Sequence, residues 1–349
     1  MSGAVADRRR AECSEVLREL READKLVVVT HENPDGDALG SLIAMQAILS
    51  AIGKDCLMFI ASCDLPLPQE YTFLPLQNLI TEPPADLGGR TLVFLDCGNL
   101  ERNPAEAFRS PDIHILNIDH HHDNTRFGTV NLVVDDASCT AEIVWDLMRA
   151  LEVSPTATVA EALYVGLITD TGRFMYENTG PAAHLMAADL IDAGVDVHAV
   201  YRRVYEDMPY GKLALLARGL ANVERYDGGR LTMSALTATD FSDSEAEESF
   251  SEGVIDHLRA VEGTQIAALV RDRIGNPEVA HMRKVSLRSG SERIDVSVIA
   301  RAQGGGGHKQ AAGFSTALSH DELVQFLREQ LAGQLGGTPP NHPPTALKR

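Results

Sequence analysis

Short apolar runs alternate with amphipathic stretches through the first half of the chain. Leu26-Val27-Val28-Val29-Thr30 is a β-branched run of the kind that forms a strand buried on both faces. Ala38 to Ile52 has helical spacing and stops at Gly53, and Asp55 to Ile60 returns to a strand pattern. Leu92 to Leu95, Ile113 to Ile118 and Thr129 to Val134 predict three further strands. Helical spacing covers Arg8 to Arg21, Thr140 to Leu151 and Thr158 to Ile168. Strand–helix alternation of this kind predicts an α/β fold: a doubly wound, mostly parallel sheet whose ligands sit at the carboxyl ends of its strands.

Pro181 to Ala221 is helical in pattern and rich in Ala and Leu, and the domain junction is expected inside it. The expected division is 11–195 for a first domain, 196–212 for a helical linker, 213–335 for a second, smaller α/β domain and 336–349 for a disordered Gly- and Pro-rich tail. Strand-like segments restart at Leu231 to Leu236, Thr264 to Val270 and Glu278 to Leu287, with a solvated acidic stretch around Asp240 to Glu248. Ile294 to Ala302 reads as a short helix. The run Gly304-Gly305-Gly306-Gly307-His308 follows, and Ala311-Ala312-Gly313 after it reads as a small-residue helix start. Ser319-His320-Asp321-Glu322 is a capping box before a last helix.

The apolar runs of the first half end in an unusual way. His31, Asp35 and Asp37 follow one strand, Asp96 follows another, Asp119-His120-His121-His122 ends a third, and Asp170 follows a helix. An isolated aspartate at such a place is ordinarily an N-cap, and an isolated histidine a packed structural residue. Here several runs deliver acids and imidazoles to the same expected edge. Carboxylates gathered that closely repel one another unless cations neutralise them. Two ions sharing a bridging carboxylate is the economical arrangement. Oxygen-rich ligation with imidazole and no thiolate points to Mn²⁺, with Mg²⁺ or Co²⁺ as alternatives, rather than to a closed structural zinc site.

Charge narrows the substrate. The chain has 349 residues, with 31 Lys+Arg against 50 Asp+Glu, a net charge of −19. Phosphate contacts along a long nucleic acid need a basic footprint, so an extended track is excluded and a small anion held beside cations is favoured. The five cysteines are scattered without a CxxC pair, which fits a reducing cytoplasm. No segment has the apolar core of a signal peptide or the length of a membrane span, so a cytoplasmic protein away from membranes is expected.

The segment His31-Glu32-Asn33-Pro34-Asp35-Gly36-Asp37, with Asp96, Asp119-His120-His121 and Asp170, resembles the four successive motifs of the DHH phosphoesterases. The glycine run to His308 with Ala311-Ala312-Gly313 resembles the signature of the DHH-associated C-terminal domain of subfamily 1. The resemblance implies that His31 and Asp35 hold one metal, Asp37 and His120 the other, that Asp96 bridges and that Asp170 completes the site. It implies a catalytic pair in which Asp119 orients its neighbours and His121 faces the substrate phosphate, with a metal-activated water as nucleophile. Gly305, Gly306, Gly307 and His308 would grip a phosphate through backbone N–H groups, joined by Arg288, and Arg173 would reach phosphate from the first domain. Asn99 stands where many relatives carry an acid, and Cys139 replaces a hydroxyl residue. His122 is expected to be exposed and incidental.

Within that family the length and two-domain plan are similar to members acting on short nucleotides. The expected activity is metal-dependent hydrolysis of short oligoribonucleotides and of 3′-phosphoadenosine 5′-phosphate (pAp). A cyclic-di-AMP or pApA phosphodiesterase is the alternative enzyme, and a non-catalytic nucleotide-binding protein is the alternative of another class. The full set of ligands argues against the last. A homodimer is the oligomeric state implied by resemblance.

Overall fold

The computed structural model describes residues 3–76, 78–206, 208–273, 282–307, 309–336 and 345–346. The chain divides into two compact units, Met1–Asp207 and Met208–Arg349. No helix among the described residues is long and apolar enough to cross a membrane.

The first unit begins with α1 (Gly3–Glu22), then β1 (Lys25–Val29), α2 (Gly36–Ala51) and β2 (Asp55–Phe59). β3 (Leu79–Ile80), β4 (Thr91–Leu95), β5 (Ile115–Asp119) and β6 (Val130–Val133) follow, then α3 (Thr140–Ala150), α4 (Ala157–Asp170), α5 (Pro181–Asp192) and the short α6 (Val197–Tyr201). The strands form one sheet in the order β3-β2-β1-β4-β5-β6, parallel throughout. The order reverses between β1 and β4, the switch point beside which sheets of this kind bind ligands at the carboxyl ends of their strands. Both faces are buried, which is why the strands read as continuous apolar runs. Leu26, Val28, Val93, Leu95, Leu116 and Ile118 pack with Val16 and Leu20 of α1 and with apolar residues of α2 to α5. Val27, Val29, Phe59, Phe94 and Phe108 fill the opposite side.

α2 and α4 lie against one another more closely than side chains would allow. A Cβ on Gly40 would come 2.2 Å from the carbonyl oxygen of Ala162, and one on Gly166 would come 2.8 Å from Asp37 Oδ1. These two glycines let the start of α2 and the end of α4 approach, and Asp37 and Asp170 sit at those ends.

The second unit contains α7 (Tyr210–Ala221), β7 (Glu224–Tyr226), β8 (Leu231–Leu236), α8 (Ala238–Asp243), α9 (Val254–Arg259), β9 (Ile266–Asp272) and β10 (Arg283–Ser289). It continues through α10 (Val296–Arg301), β11 (Gly306–Gly307), β12 (Ala311–Thr316), α11 (His320–Leu335) and β13 (Thr345–Ala346). The sheet order is β11-β12-β10-β9-β8-β7-β13, with β8 and β9 parallel and the other pairs antiparallel. α10 and α11 cover one face, where Val285, Leu287, Ile299 and Leu327 meet. α7 to α9 cover the other, with Leu215, Phe241, Leu258 and Leu269. The side chain of Ser319 caps α11 in a reciprocal box with Glu322.

Ala311-Ala312-Gly313 is a correction to the helix start read from the sequence. These residues belong to β12, paired with β10 on one side and β11 on the other. Small residues carry no period of their own, and the inward positions Ala312 and Phe314 alternate as in a strand. The tail expectation falls mainly outside the described residues. Of 336–349, Gly336 ends α11 and Thr345–Ala346 pair with β7.

Candidate metal centre

The site grows from the carboxyl ends of β1, β4 and β5, the three central strands. Past Val29, the loop carries His31, whose Nδ1 lies 2.7 Å from the Glu32 carbonyl oxygen. A proton on Nδ1 therefore leaves the Nε2 lone pair free to bind a metal. Asn103 holds the same loop by donating to the Thr30 carbonyl at 2.7 Å. Asp35 is the N-cap of α2, accepting from the N–H groups of Asp37 and Ala38. Asp37 is in the first turn of α2 and is buried. Asp96 follows β4 with a left-handed φ of 57°, a conformation aspartate tolerates better than most residues and one frequent at functional sites. Asp170 is the last residue of α4.

These groups converge. Three overlapping sets each bring three donor atoms within 4.8 Å of one another: His31, Asp35 and Asp96; Asp37, His120 and Asp170; and Asp96, His120 and His121. Asp96 is the hub. Its Oδ2 is 3.6 Å from His31 Nε2, and its Oδ1 is 3.6 Å from both His120 Nε2 and His121 Nδ1. His120 Nε2 is also 3.7 Å from Asp170 Oδ2. The separations are too long for hydrogen bonds.

The amino end of α3 underwrites the acids. The N–H groups of Thr140 and Ala141 donate to the two oxygens of Asp37 at 2.6 and 2.9 Å. The Thr140 hydroxyl donates to Asp96 Oδ1 at 3.1 Å. Asn178 donates to Asp170 Oδ2 at 3.2 Å and to the Ser138 carbonyl at 2.8 Å. Cys139, the departure noted in the sequence, is the N-cap of α3 and is fully buried without a side-chain cap bond. Asn99 caps the short turn Leu100–Arg102 and takes no place among the grouped donors.

Electrostatics mark the centre as built for cations. Burial, then the charges on Asp96, Asp170 and Asp35, push the Asp37 carboxyl well up from its ordinary value. Burial likewise lifts Asp170, to about 6, with Asp96 and Asp35 adding to it and His120 opposing. Asp96 is also buried, yet the imidazole of His31 beside it and the charges on His121 and His120 bring it below the usual carboxylate range. Four carboxylates and imidazole nitrogens without thiolate form a donor set that suits oxygen-preferring divalent metals. The residues present fit the metal pair that the sequence motifs imply.

Asp119 lies inside β5 rather than after it and is fully buried. Its Oδ1 accepts from His121 Nδ1 at 2.8 Å. That bond lifts His121 to about 9 despite burial, which alone would lower it. The His121 side chain is 33% exposed, at the edge of the donor cluster. His122 is exposed.

The expected phosphate contacts are dispersed over both units. Arg173 sits in a turn where Gly172, Arg173 and Phe174 all take positive φ, and its guanidinium lies 5.0 Å from the Tyr205 ring centre. Arg288 is on β10, half-exposed, with Nε 3.9 Å from Asp256 Oδ1. Gly305 and Gly307 meet a packing demand of their own: a Cβ at either would fall within 2.5 Å of a β12 carbonyl oxygen. Gly306 is exposed with open space where a Cβ would project. His308 lies outside the described residues. Thr140, Asn124 and Asn178 were not singled out from the sequence. The one available signal was Asn117, a polar residue inside an otherwise apolar run, and it bonds to Asn124.

Residues 25–167 match the DHH family, N-terminal domain, and residues 228–333 match the DHHA1 domain. The bifunctional oligoribonuclease and PAP phosphatase NrnA of Thermus thermophilus is 32% identical over 315 residues, covering 88% of this chain and 90% of that protein. An exopolyphosphatase-related protein from Bacteroides fragilis has a similar fold, with a TM-score of 0.80 at 23% identity over 92% of this chain and 96% of that one. RecJ from Thermus thermophilus, solved in complex with Mn²⁺, is a more distant likeness, with a TM-score of 0.52 at 17% identity over 94% of this chain and 55% of that one.

Proposed function

The chain belongs to the DHH family of phosphoesterases and carries its DHHA1 partner domain, and from that membership we propose that it hydrolyses short oligoribonucleotides and pAp in a divalent-metal-dependent reaction. The observation that carries the reading is the place of Asp96, which groups with His31 and Asp35 on one side and with His120 and His121 on the other, while His120 also groups with Asp37 and Asp170. His31, Asp35 and Asp96 would hold one ion; Asp37, His120, Asp170 and Asp96 the second. Mn²⁺ is the expected metal on the chemistry of these donors. When bound, the ions acidify water and neutralise developing negative charge on the phosphoryl oxygens.

The chain's own groups do the rest. Asp119 keeps a proton on His121 Nδ1 and leaves Nε2 free to meet the substrate. There His121 donates to the substrate phosphate and passes a proton to the leaving ribose oxygen. A water oxygen bonds to phosphorus, the phosphorus–ribose-oxygen bond breaks, and the products are a phosphate monoester, or inorganic phosphate from pAp, and an alcohol. Arg173 from the first unit, and Arg288, Gly305, Gly306, Gly307 and His308 from the second, are the candidates for holding the remaining phosphates and base. The strongly acidic composition fits substrates of a few nucleotides rather than a long strand. Five unpaired thiols fit a reducing cytoplasm.

One product-resolved panel tests the reading. The protein with Mn²⁺ is given pAp, pApA, cyclic-di-AMP and a ladder of short RNAs. Turnover of pAp and of two- to five-residue RNA is the expected outcome. Preferential cleavage of cyclic-di-AMP would transfer the assignment to the cyclic-dinucleotide reading, and binding of all four without turnover would overturn the enzyme.

A further inference from the structure

We propose that Asn124 is a positioning residue for phosphoester cleavage: it holds the carboxylate of Asp119, and through it the His121 ring, in line with the leaving oxygen. The inference rests on the role given to His121 above.

Asp119 has two carboxylate oxygens and two different partners. Oδ1 accepts from His121 Nδ1 at 2.8 Å, and Oδ2 accepts from Asn124 Nδ2 at 2.6 Å. The second bond is short, as expected when an amide donates to a buried charge. Without it the carboxylate would be anchored at one end only, free to turn about its last torsion and carry the imidazole with it.

Asn124 is itself fastened. Its Oδ1 accepts from Asn117 Nδ2 at 2.9 Å and from the Arg126 N–H at 2.6 Å. Asn117, buried in β5, also donates to Asn131 Oδ1 at 3.1 Å on β6. Asn131 in turn exchanges two bonds with the backbone of Gly128. Gly128 has to lack a side chain, because a Cβ there would lie 2.8 Å from the Asn117 Cβ. Three amides thus run as a chain from β6 through β5 into the loop after His122. Asn124 Nδ2 also reaches the Cys97 carbonyl at 3.1 Å, and Cys97 directly follows Asp96. One amide therefore ties the loop bearing the hub carboxylate to the residue that orients His121. A network built only to stabilise the loop would close through Asn117, Asn131 and Gly128. The additional bond to the carboxylate that holds a substrate-facing ring points to positioning.

The test uses two substrates that differ in their need for that ring. The RNA dinucleotide pApA expels a ribose alkoxide, which must be protonated. Bis(p-nitrophenyl) phosphate expels p-nitrophenolate, which leaves unprotonated. Asn124→Ala removes the amide. Asn124→Asp keeps its shape and its acceptor for Asn117 and Arg126 but sets a carboxylate against Asp119, so it remains informative if the alanine variant does not fold. Both are expected to lower kcat on pApA by roughly 10- to 100-fold with KM within about threefold, and to leave kcat on bis(p-nitrophenyl) phosphate within about threefold. Equal losses on the two substrates, or no loss on either, would overturn the proposal. His121→Ala in the same assay separates the two levels. If it shows no leaving-group dependence, the role of His121 fails and this inference with it. If it does and the Asn124 variants do not, only the assignment of Asn124 fails.

Discussion

The hydroxyl of Thr140 donates to Asp96 Oδ1 across 3.1 Å while its backbone N–H donates to Asp37 Oδ2 across 2.6 Å. One residue at the start of α3 thus braces carboxylates assigned to both halves of the metal pair. Thr140→Val keeps the shape and the backbone bond and deletes only the hydroxyl bond to the hub. The expected result is a loss of roughly 10- to 100-fold in divalent-metal affinity, read by Mn²⁺ titration of activity, with little change in kcat at saturating metal. Unaltered affinity would mean that Asp96 needs no such brace.

Asp96→Asn tests the hub directly. The amide preserves volume but removes the charge that lies between His31 with Asp35 and His120 with His121. Turnover of pAp is expected to fall by roughly 10³-fold or more, with the metal-stripped protein still melting cooperatively. Substantial Mn²⁺-dependent turnover in this variant would refute a bridging role.

Metal and pH act together on stability. Burial and neighbouring acids raise Asp170 to about 6 and push Asp37 well up from its ordinary value. His31 and His121 are raised too, in spite of burial, by the carboxylates of Asp96 and Asp119 beside them. Every one of these groups binds its proton more tightly folded than unfolded. Their contribution is present below the unfolded values and is lost as pH rises through the folded ones. Asp96 has the opposite sign, but its loss falls in strong acid. Metal-stripped protein should therefore lose stability steadily from about pH 5 to about pH 9, and added Mn²⁺ should raise the melting temperature most at the alkaline end. Thermal melts with and without chelator across that range decide it; a metal-stripped protein most stable at about pH 8 would contradict the account.

Cys139 occupies an N-cap with extended backbone and makes no cap bond. Serine at this position has an oxygen that can accept from the N–H of Glu142, which bonds the Cys139 carbonyl at 3.3 Å. Cys139→Ser is expected to stabilise the protein by about 0.5–1 kcal/mol and leave turnover unchanged. A lowered melting temperature would show that the thiol is held by packing that a hydroxyl cannot replace.

Much of this protein is written in its linear pattern, and the reason is burial. A parallel sheet covered on both faces requires continuous apolar strands, so β1, β4 and β5 stand out in sequence within about two residues of their ends. Ligands of such a sheet gather at one edge, so the acids and histidines after those strands could be collected into one site before any coordinates. Local chemistry was equally legible where it acts over a single turn, as in the Ser319–Glu322 box.

What only the tertiary structure decided depends on which elements become neighbours. Strand order places β4 between β1 and β5 and so puts Asp96, rather than Asp35 or Asp170, within reach of both His31 and His120. The closeness of Asp37 to Asp170 needs the absent side chains of Gly40 and Gly166, a seam between helices far apart in sequence. Thr140 and Asn124 look like ordinary polar residues until α3 and the loop after β5 bring them against buried carboxylates. Ala311 to Gly313 read as a helix start because small residues have no period, and only pairing with β10 and β11 makes them a strand. Periodicity reports which face of an element is buried; the partner on that face is chosen by packing across the whole chain.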